Sequence, residues 1–193
     1  MLKLEKNIFL VGFMGSGKTS LGRALSEILE IDFFDTDELI TRMQKMSIAD
    51  IFSRYGEKFF RDRESEVLEF LGQKEPGTCI ISTGGGAVMR EKNWMAFNEN
   101  GTVIYLDITV EEVYRRLKKT EDRPIIKPIL KLENPLEKIE ELLKERKPYY
   151  ARADIIVDAT GKSPQKIAAE IISTLETTCD ACLPGNPLPE NIL

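Results

Sequence analysis

The sequence predicts an α/β protein of three layers, α/β/α, in which one five-stranded parallel sheet is covered by helices on both faces. Three observations carry this. Short β-rich apolar segments alternate with stretches of helical periodicity along most of the chain. Five segments read as strands, and helical stretches separate them, which is the connection that parallel strands need. The first strand also runs directly into a glycine-rich loop that opens a helix.

In chain order, Asn7 to Val11 is a buried strand of uninterrupted apolar character after its first residue. Leu21, Ala24, Leu25, Ile28 and Leu29 then recur at the spacing of one helix face. Ile31 to Thr36 is the second strand. Ser47-Ile48-Ala49-Asp50 has capping-box spacing with Asp in place of Glu, opening a helix that Gly56 ends. A further helix covers Phe59 to Leu71, and the strand Thr78 to Thr83 leads into Gly84-Gly85-Gly86. Gly101 to Asp107 is the fourth strand, with Val103 and Tyr105 on one face and Ile104 and Leu106 on the other. A helix from Val110 to Lys119 precedes a polar, proline-marked stretch. Asn134 caps the next helix, with Pro135 at its first position and Glu137 at its third. Ala153 to Val157 is the last strand. Ser163-Pro164 starts the last helix, whose apolar face is Ile167, Ala168, Ile171, Ile172 and Leu175. Helical character stops near Thr177, and residues 177–193 read as a flexible tail.

The 193 residues suit a single domain, residues 1–176, able to bury about 70% of its unfolded surface. Apolar residues at 42% and charged residues at 31% are those of a soluble globular chain, with no run long enough to span a bilayer. The net charge of −5 gives no electrostatic footing for a nucleic-acid partner, so any phosphate site is local. The apolar run near the start lacks a cleavage site and is no signal peptide. The cysteines are Cys79, Cys179 and Cys182; three cannot build a disulfide framework, which points to the cytoplasm. The chain has no histidine at all. That excludes Ser-His-Asp and Cys-His hydrolases and His-ligated zinc in their usual forms, and leaves a carboxylate as the expected general base.

Gly12-Phe13-Met14-Gly15-Ser16-Gly17-Lys18-Thr19 fits the phosphate-binding pattern G-x-x-x-x-G-K-[ST] in full. Its glycines allow successive N–H groups to face a phosphate, and the following helix adds its dipole. Lys18 is expected to reach β- and γ-phosphates, and the Thr19 hydroxyl to ligate Mg²⁺. Asp35-Thr36-Asp37 falls at the carboxyl end of the second strand, where ligands bind in parallel sheets. On an extended chain both carboxylates face one pocket, Asp35 toward a metal and Asp37 toward an acceptor hydroxyl. A helix cap is the alternative reading of this pair, and the two are compatible.

Arg61 and Glu64 are three apart on a helix, so the carboxylate can orient the guanidinium. With Arg146, Arg61 can clamp a planar carboxylate; taken singly, each reads equally as a solvated surface charge. The glycine triplet suggests either a backbone that another group approaches closely or a tight turn. Arg116 and Arg123 bracket the polar stretch, and residues 116–130 have the composition of a mobile lid from which an arginine can swing onto phosphates. Cys179 and Cys182 have half-site spacing for zinc or redox chemistry, without a second pair, and read as inert thiols.

GFMGSGKTSLGRAL, FFDTDELI, GEKFFRDRESEVL, STGGGAV, GTVIYLD, EDRPII and ERKPYYARAD occur in this order. From about residue 5 to 175 the chain resembles the shikimate kinases, in the order and spacing of these pieces. The resemblance implies the P-loop kinase fold with strand order 2-3-1-4-5, dependence on ATP and Mg²⁺, and phosphorylation of the shikimate 3-hydroxyl. It places Asp37, Arg61, the triplet Gly84, Gly85 and Gly86, and Arg146 at shikimate. Gly15, Ser16, Gly17, Lys18, Thr19, Ser20 and Arg123 go to the ATP phosphates, Arg116 and Lys162 to the adenine side, and Thr19 with Asp35 to Mg²⁺. Lys18, Asp37 and Arg123 would be catalytic, and a freely moving lid suits a monomer. Related gluconate or nucleotide kinases share the loop and lid, and a nucleotide-binding regulator without turnover is the reading from another class. The chain departs from the family pattern at Lys45-Met46, where a glycine is usual, at Ile125-Ile126 in the lid, and in the tail.

Overall fold

A computed structural model of the chain describes residues 2, 4–119 and 127–181. Strand β1 (Asn7–Val11) is followed by helix α1 (Lys18–Leu29), β2 (Asp32–Asp35), α2 (Thr36–Gln44) and α3 (Ile48–Gly72). Then come β3 (Cys79–Ser82), a 3₁₀ turn (Ala87–Met89), α4 (Glu91–Asn100), β4 (Gly101–Asp107), α5 (Val110–Lys118) and the short α6 (Lys127–Leu130). The chain closes with α7 (Pro135–Tyr150), β5 (Ile155–Asp158) and α8 (Pro164–Ala181).

The five strands form one sheet in the order β2-β3-β1-β4-β5. All pairings are parallel, with Leu10 of β1 between Ser82 of β3 and Ile104 of β4. β1 is buried at every residue, which is why it reads as an unbroken apolar run. Phe9, Val11, Ile81, Val103 and Tyr105 face one helical layer, meeting Val67 and Leu68 of α3, Trp94 and Phe97 of α4, and Tyr150 of α7. Ile8, Leu10, Ile80, Ile104 and Leu106 face the other, meeting Leu21 and Leu25 of α1 and Ile167 and Ile171 of α8. A third cluster, Phe13, Ile108, Val113, Leu117 and Ile139, seats α5 and α7 beside the glycine-rich loop. Because all strands run the same way, β1, β2 and β3 deliver the glycine loop, Asp35 and the glycine triplet to one edge of the sheet.

Several local expectations change. Ile28 is half exposed, so of the expected apolar face α1 buries Leu21, Ala24, Leu25 and Leu29. Gly56 does not end its helix but kinks it, at φ 78° and ψ 170°, inside α3. Ser47 does cap that helix, accepting the Asp50 N–H at 3.1 Å, while its hydroxyl donates to the Asp50 carboxylate at 2.7 Å. Asn134 makes no side-chain cap for α7. Helix α4, not foreseen, buries Asn93, Trp94 and Phe97. α8 runs on to Ala181, so residues 177–181 continue the helix rather than begin the tail; the first proline, Pro184, comes later. Residues 120–126 of the expected lid and 182–193 of the expected tail lie outside the described residues.

Candidate active site

The loop between β1 and α1 curls because Gly15 and Gly17 adopt φ of 80° and 101°, conformations that side chains resist. α1 begins with Gly17 as its cap and no side chain covering its first N–H groups, so the positive end of the helix faces the loop's concavity. The Lys18 ammonium, buried, donates to the carbonyls of Gly12 at 2.8 Å and Phe13 at 3.0 Å. The loop thus carries both a cation and a ring of backbone donors, the combination that binds phosphate.

Helix α5 holds this loop from its carbonyl side. Arg116 donates through Nη1 to the Ser16 carbonyl at 2.8 Å and the Gly15 carbonyl at 3.4 Å, and through Nη2 to Ala159 at 2.9 Å. Glu112, a turn earlier, receives Arg116 Nε at 2.7 Å and a bidentate pair from Arg115 at 2.6 Å. These bonds from Arg115 first, then Arg116, pull the Glu112 carboxyl down to about 2. Lys162, also at the cavity wall, pairs with Glu170 at 2.8 Å.

Asp35 does not share an extended strand with Asp37, as the sequence suggested. It is the N-cap of α2, accepting the N–H groups of Asp37 at 3.0 Å and Glu38 at 3.4 Å, and Asp37 sits in the first helical turn. The second Asp35 oxygen accepts the Thr19 hydroxyl at 2.7 Å. Both aspartates still line one cavity. A hydroxyl and a carboxylate in mutual contact beside a phosphate loop are hard oxygen donors that fit Mg²⁺, which commonly takes one or two carboxylates and completes its shell with phosphate and water.

Across the cavity, Arg61 of α3 donates to Glu64 at 2.8 Å and to Glu57 at 3.3 Å. Glu64 is fully buried, and burial pushes its carboxyl upward, with Arg61 opposing and Asp37 adding to the shift. None of the triplet glycines has positive φ, so turn conformation does not explain them. Close approach does. A Cβ on Gly84 would strike the Glu64 carboxylate, one on Gly86 would strike the Arg61 guanidinium, and one on Gly85 would press on the Met14 N–H group at 3.2 Å. Thr36 fixes the start of the triplet by accepting the Gly84 N–H at 3.1 Å. From α7, Arg146 reaches the Gly85 carbonyl at 3.4 Å and lies over the Phe13 ring, 5.4 Å from its centroid. The buried Arg146 Nε has no hydrogen-bond partner among the described residues.

The structure therefore brings Gly15, Ser16, Gly17, Lys18, Thr19, Ser20, Asp35, Asp37, Arg61, Gly84, Gly85, Gly86, Arg116, Arg146 and Lys162 around one open cavity of about 1170 Å³. Arg123 lies outside the described residues. Sequence reasoning did not single out Glu112 or Tyr150. Spacing alone could have flagged both, Glu112 at four residues before Arg116 and Tyr150 at four after Arg146. Cys79 is buried and its thiol is pushed up to about 11, while the Cys179 side chain and Cys182 are outside the described residues. Among the described residues no helix is long and apolar enough to cross a membrane.

A phosphate loop, a hard-oxygen pair and a facing carboxylate-and-guanidinium wall in one cavity define a P-loop phosphotransferase acting on a small molecule. Residues 14–176 match the family model described as Shikimate kinase, and the chain belongs to the shikimate kinase family, which makes it an ATP-dependent phosphotransferase. It is 43% identical to the shikimate kinase of Persephonella marina over 171 residues, covering 88% of this chain and 99% of that one. With the shikimate kinase of Thermodesulfovibrio yellowstonii it shares 41% identity over 171 residues, 89% of this chain and 95% of the relative. A solved structure of shikimate kinase from Acinetobacter baumannii in complex with shikimate superposes with a TM-score of 0.83 at 34% identity, covering 91% of this chain and 96% of that one.

Proposed function

We propose that the chain transfers the γ-phosphoryl group of ATP to the 3-hydroxyl of shikimate, with the acceptor held between Asp37, Arg61, the glycine triplet and Arg146. The observation that carries this is the convergence of two guanidiniums on the triplet, Arg61 against Gly86 and Arg146 on the Gly85 carbonyl, in the cavity that also holds the phosphate loop. Paired forks suit a planar carboxylate, and the acceptor carries one.

The N–H groups of residues 15–20 and the Lys18 ammonium hold the phosphates and offset charge as the bond to the leaving oxygen lengthens. Thr19 and Asp35 would hold Mg²⁺, which when bound would neutralise phosphate charge. Asp37 orients the acceptor hydroxyl in line with the phosphorus and receives its proton late. Arg123 closes over the transferring group, and Arg116 with Lys162 borders the adenine side. The wall of donors is fixed before substrate arrives, so positioning and electrostatics supply most of the acceleration. The enzyme works as a cytoplasmic monomer, since three cysteines in the whole chain are too few for a disulfide framework and a monomer leaves a lid free to move.

The test is ADP release with ATP and Mg²⁺ in the presence of shikimate, gluconate or CMP. Shikimate-dependent turnover that falls by about a thousandfold in Asp37→Asn, with ATP binding retained, is expected. Turnover stimulated only by gluconate or CMP would replace the acceptor, and near-normal kcat in Asp37→Asn would remove that residue's role.

A further inference from the structure

Tyr150 lies one helical turn beyond Arg146, on the same face of α7, and is fully buried. Its hydroxyl donates to the Gly85 carbonyl at 2.7 Å, the same oxygen that Arg146 Nη1 approaches at 3.4 Å. The ring is stacked on Tyr105 of β4, with centroids 4.7 Å apart and planes 10° from parallel. Tyr105 is itself anchored, donating its hydroxyl to Asp107 at 2.7 Å. A rigid strut thus runs from the central sheet through two aromatic rings to the middle of the glycine triplet.

The two donors on Gly85 are unequal. A 2.7 Å bond from a buried hydroxyl is short and strong, whereas 3.4 Å is the limit of a useful bond. Burial pushes the Tyr150 phenol up to about 12, so it remains a neutral donor at any working pH. Arg146 shares the Gly85 carbonyl with Tyr150 and lies against the Tyr150 hydroxyl, but it reaches that carbonyl only at 3.4 Å, and its buried Nε is left without a partner among the described residues. A guanidinium fork loses specificity when one of its edges is turned onto a competing acceptor.

We propose that Tyr150 is a positioning residue: by occupying the Gly85 carbonyl it fixes the glycine triplet and keeps the Arg146 guanidinium turned toward the carboxylate of the acceptor. This rests on the reading of Arg146 as part of the acceptor site. Removing the hydroxyl takes away the stronger of the two donors, and Arg146 Nη1, already at 3.4 Å, is free to shorten its own bond to the Gly85 carbonyl. The guanidinium then turns from the ligand toward the backbone, and acceptor binding weakens while the nucleotide side of the cavity is untouched.

Tyr150→Phe keeps the ring and its stack on Tyr105, so the fold is preserved. Steady-state kinetics and thermal denaturation of wild type, Tyr150→Phe, Arg146→Ala and the double variant separate the possibilities. The expected result is a rise of about tenfold in KM for shikimate in Tyr150→Phe, with KM for ATP within twofold and melting temperature little changed. Because Tyr150 acts through Arg146, adding Tyr150→Phe to Arg146→Ala should raise the shikimate KM no further. An unchanged shikimate KM in Tyr150→Phe, fully additive effects, or parallel rises in both KM values with a large loss of melting temperature would each overturn the inference. If Arg146→Ala alone leaves the shikimate KM unchanged, the acceptor assignment beneath it falls as well.

Discussion

The Thr19 hydroxyl donates to one oxygen of Asp35 at 2.7 Å while the other oxygen of Asp35 accepts the Asp37 N–H at 3.0 Å. One carboxylate therefore joins the end of the phosphate loop to the start of the helix that carries Asp37. It does so as a helix cap and as the acceptor of the Thr19 hydroxyl at once.

Asp35→Asn separates these two duties. Asparagine caps a helix as well as aspartate does, so the melting temperature should stay within a few degrees of wild type. It lacks the negative charge that a divalent cation requires, and the Mg²⁺ concentration for half-maximal rate should rise about tenfold or more. A Mg²⁺ titration of initial rates at saturating ATP reads this directly. An unshifted midpoint would leave Asp35 as a cap alone.

The glycine triplet predicts a graded response. A methyl group at Gly86 meets the Arg61 guanidinium, which is flexible at its far end but tied to Glu64 and Glu57. Gly86→Ala should therefore push Arg61 from its place and raise KM for shikimate about tenfold, leaving KM for ATP near normal. Gly84→Ala meets the fully buried Glu64 instead, and that side chain has less room to yield. It should also lower the melting temperature. Equal effects of both variants on ATP and shikimate would point to general disruption of the loop.

The central strands were legible in the sequence to the residue: β1 and β4 occupy Asn7–Val11 and Gly101–Asp107 because buried parallel strands read as continuous apolar runs bounded by polar or glycine residues. The phosphate loop was legible for a different reason, since backbone curvature there demands glycine at set positions. α4 was not, because only Asn93, Trp94 and Phe97 are buried and an exposed Met95 breaks any regular apolar face. The aspartate pair does line one cavity, but by a geometry other than a shared strand, because α2 begins directly after β2 and no periodicity marks that point. The purpose of the triplet could be read as close approach, but Glu64 and Arg61 as the approaching groups are facts of tertiary packing. So is the Arg116 contact with the Ser16 carbonyl, made across 100 residues of sequence.

That contact makes Glu112 a support of the glycine-rich loop. Its carboxyl is held down to about 2 from an ordinary 4.5 by Arg115 and then Arg116. A depressed folded value contributes stability that is present above the unfolded value and lost as pH falls toward the folded one. The wild-type melting temperature should therefore drop between about pH 4.5 and 2 more steeply than that of Glu112→Gln. At neutral pH the same variant should raise KM for ATP several-fold, since Arg116 loses its charged partner and holds the loop carbonyls less firmly. Parallel pH profiles for the two proteins would remove the carboxylate from this role.

Two backbone positions, at the end of α2 and within α3, predict opposite changes. Gly56 kinks α3 at φ 78° and ψ 170°, a region that essentially only glycine enters, one residue before Glu57, which pairs with Arg61. No atom lies within 4 Å of a Cβ built there, so the cost of Gly56→Ala is backbone strain rather than collision. A cost of about 1–3 kcal/mol corresponds to a fall of several degrees in melting temperature for a chain of this size. Lys45 has the converse problem. It ends α2 in the left-handed conformation at φ 51°, where a side chain is disfavoured. Lys45→Gly should relieve about 1 kcal/mol, partly offset by the greater freedom of glycine in the unfolded chain, and raise the melting temperature by roughly 1–3 degrees. Calorimetry of both variants tests the pair. A stabilised Gly56→Ala or a destabilised Lys45→Gly would mean that side-chain contacts, not backbone conformation, govern these two turns.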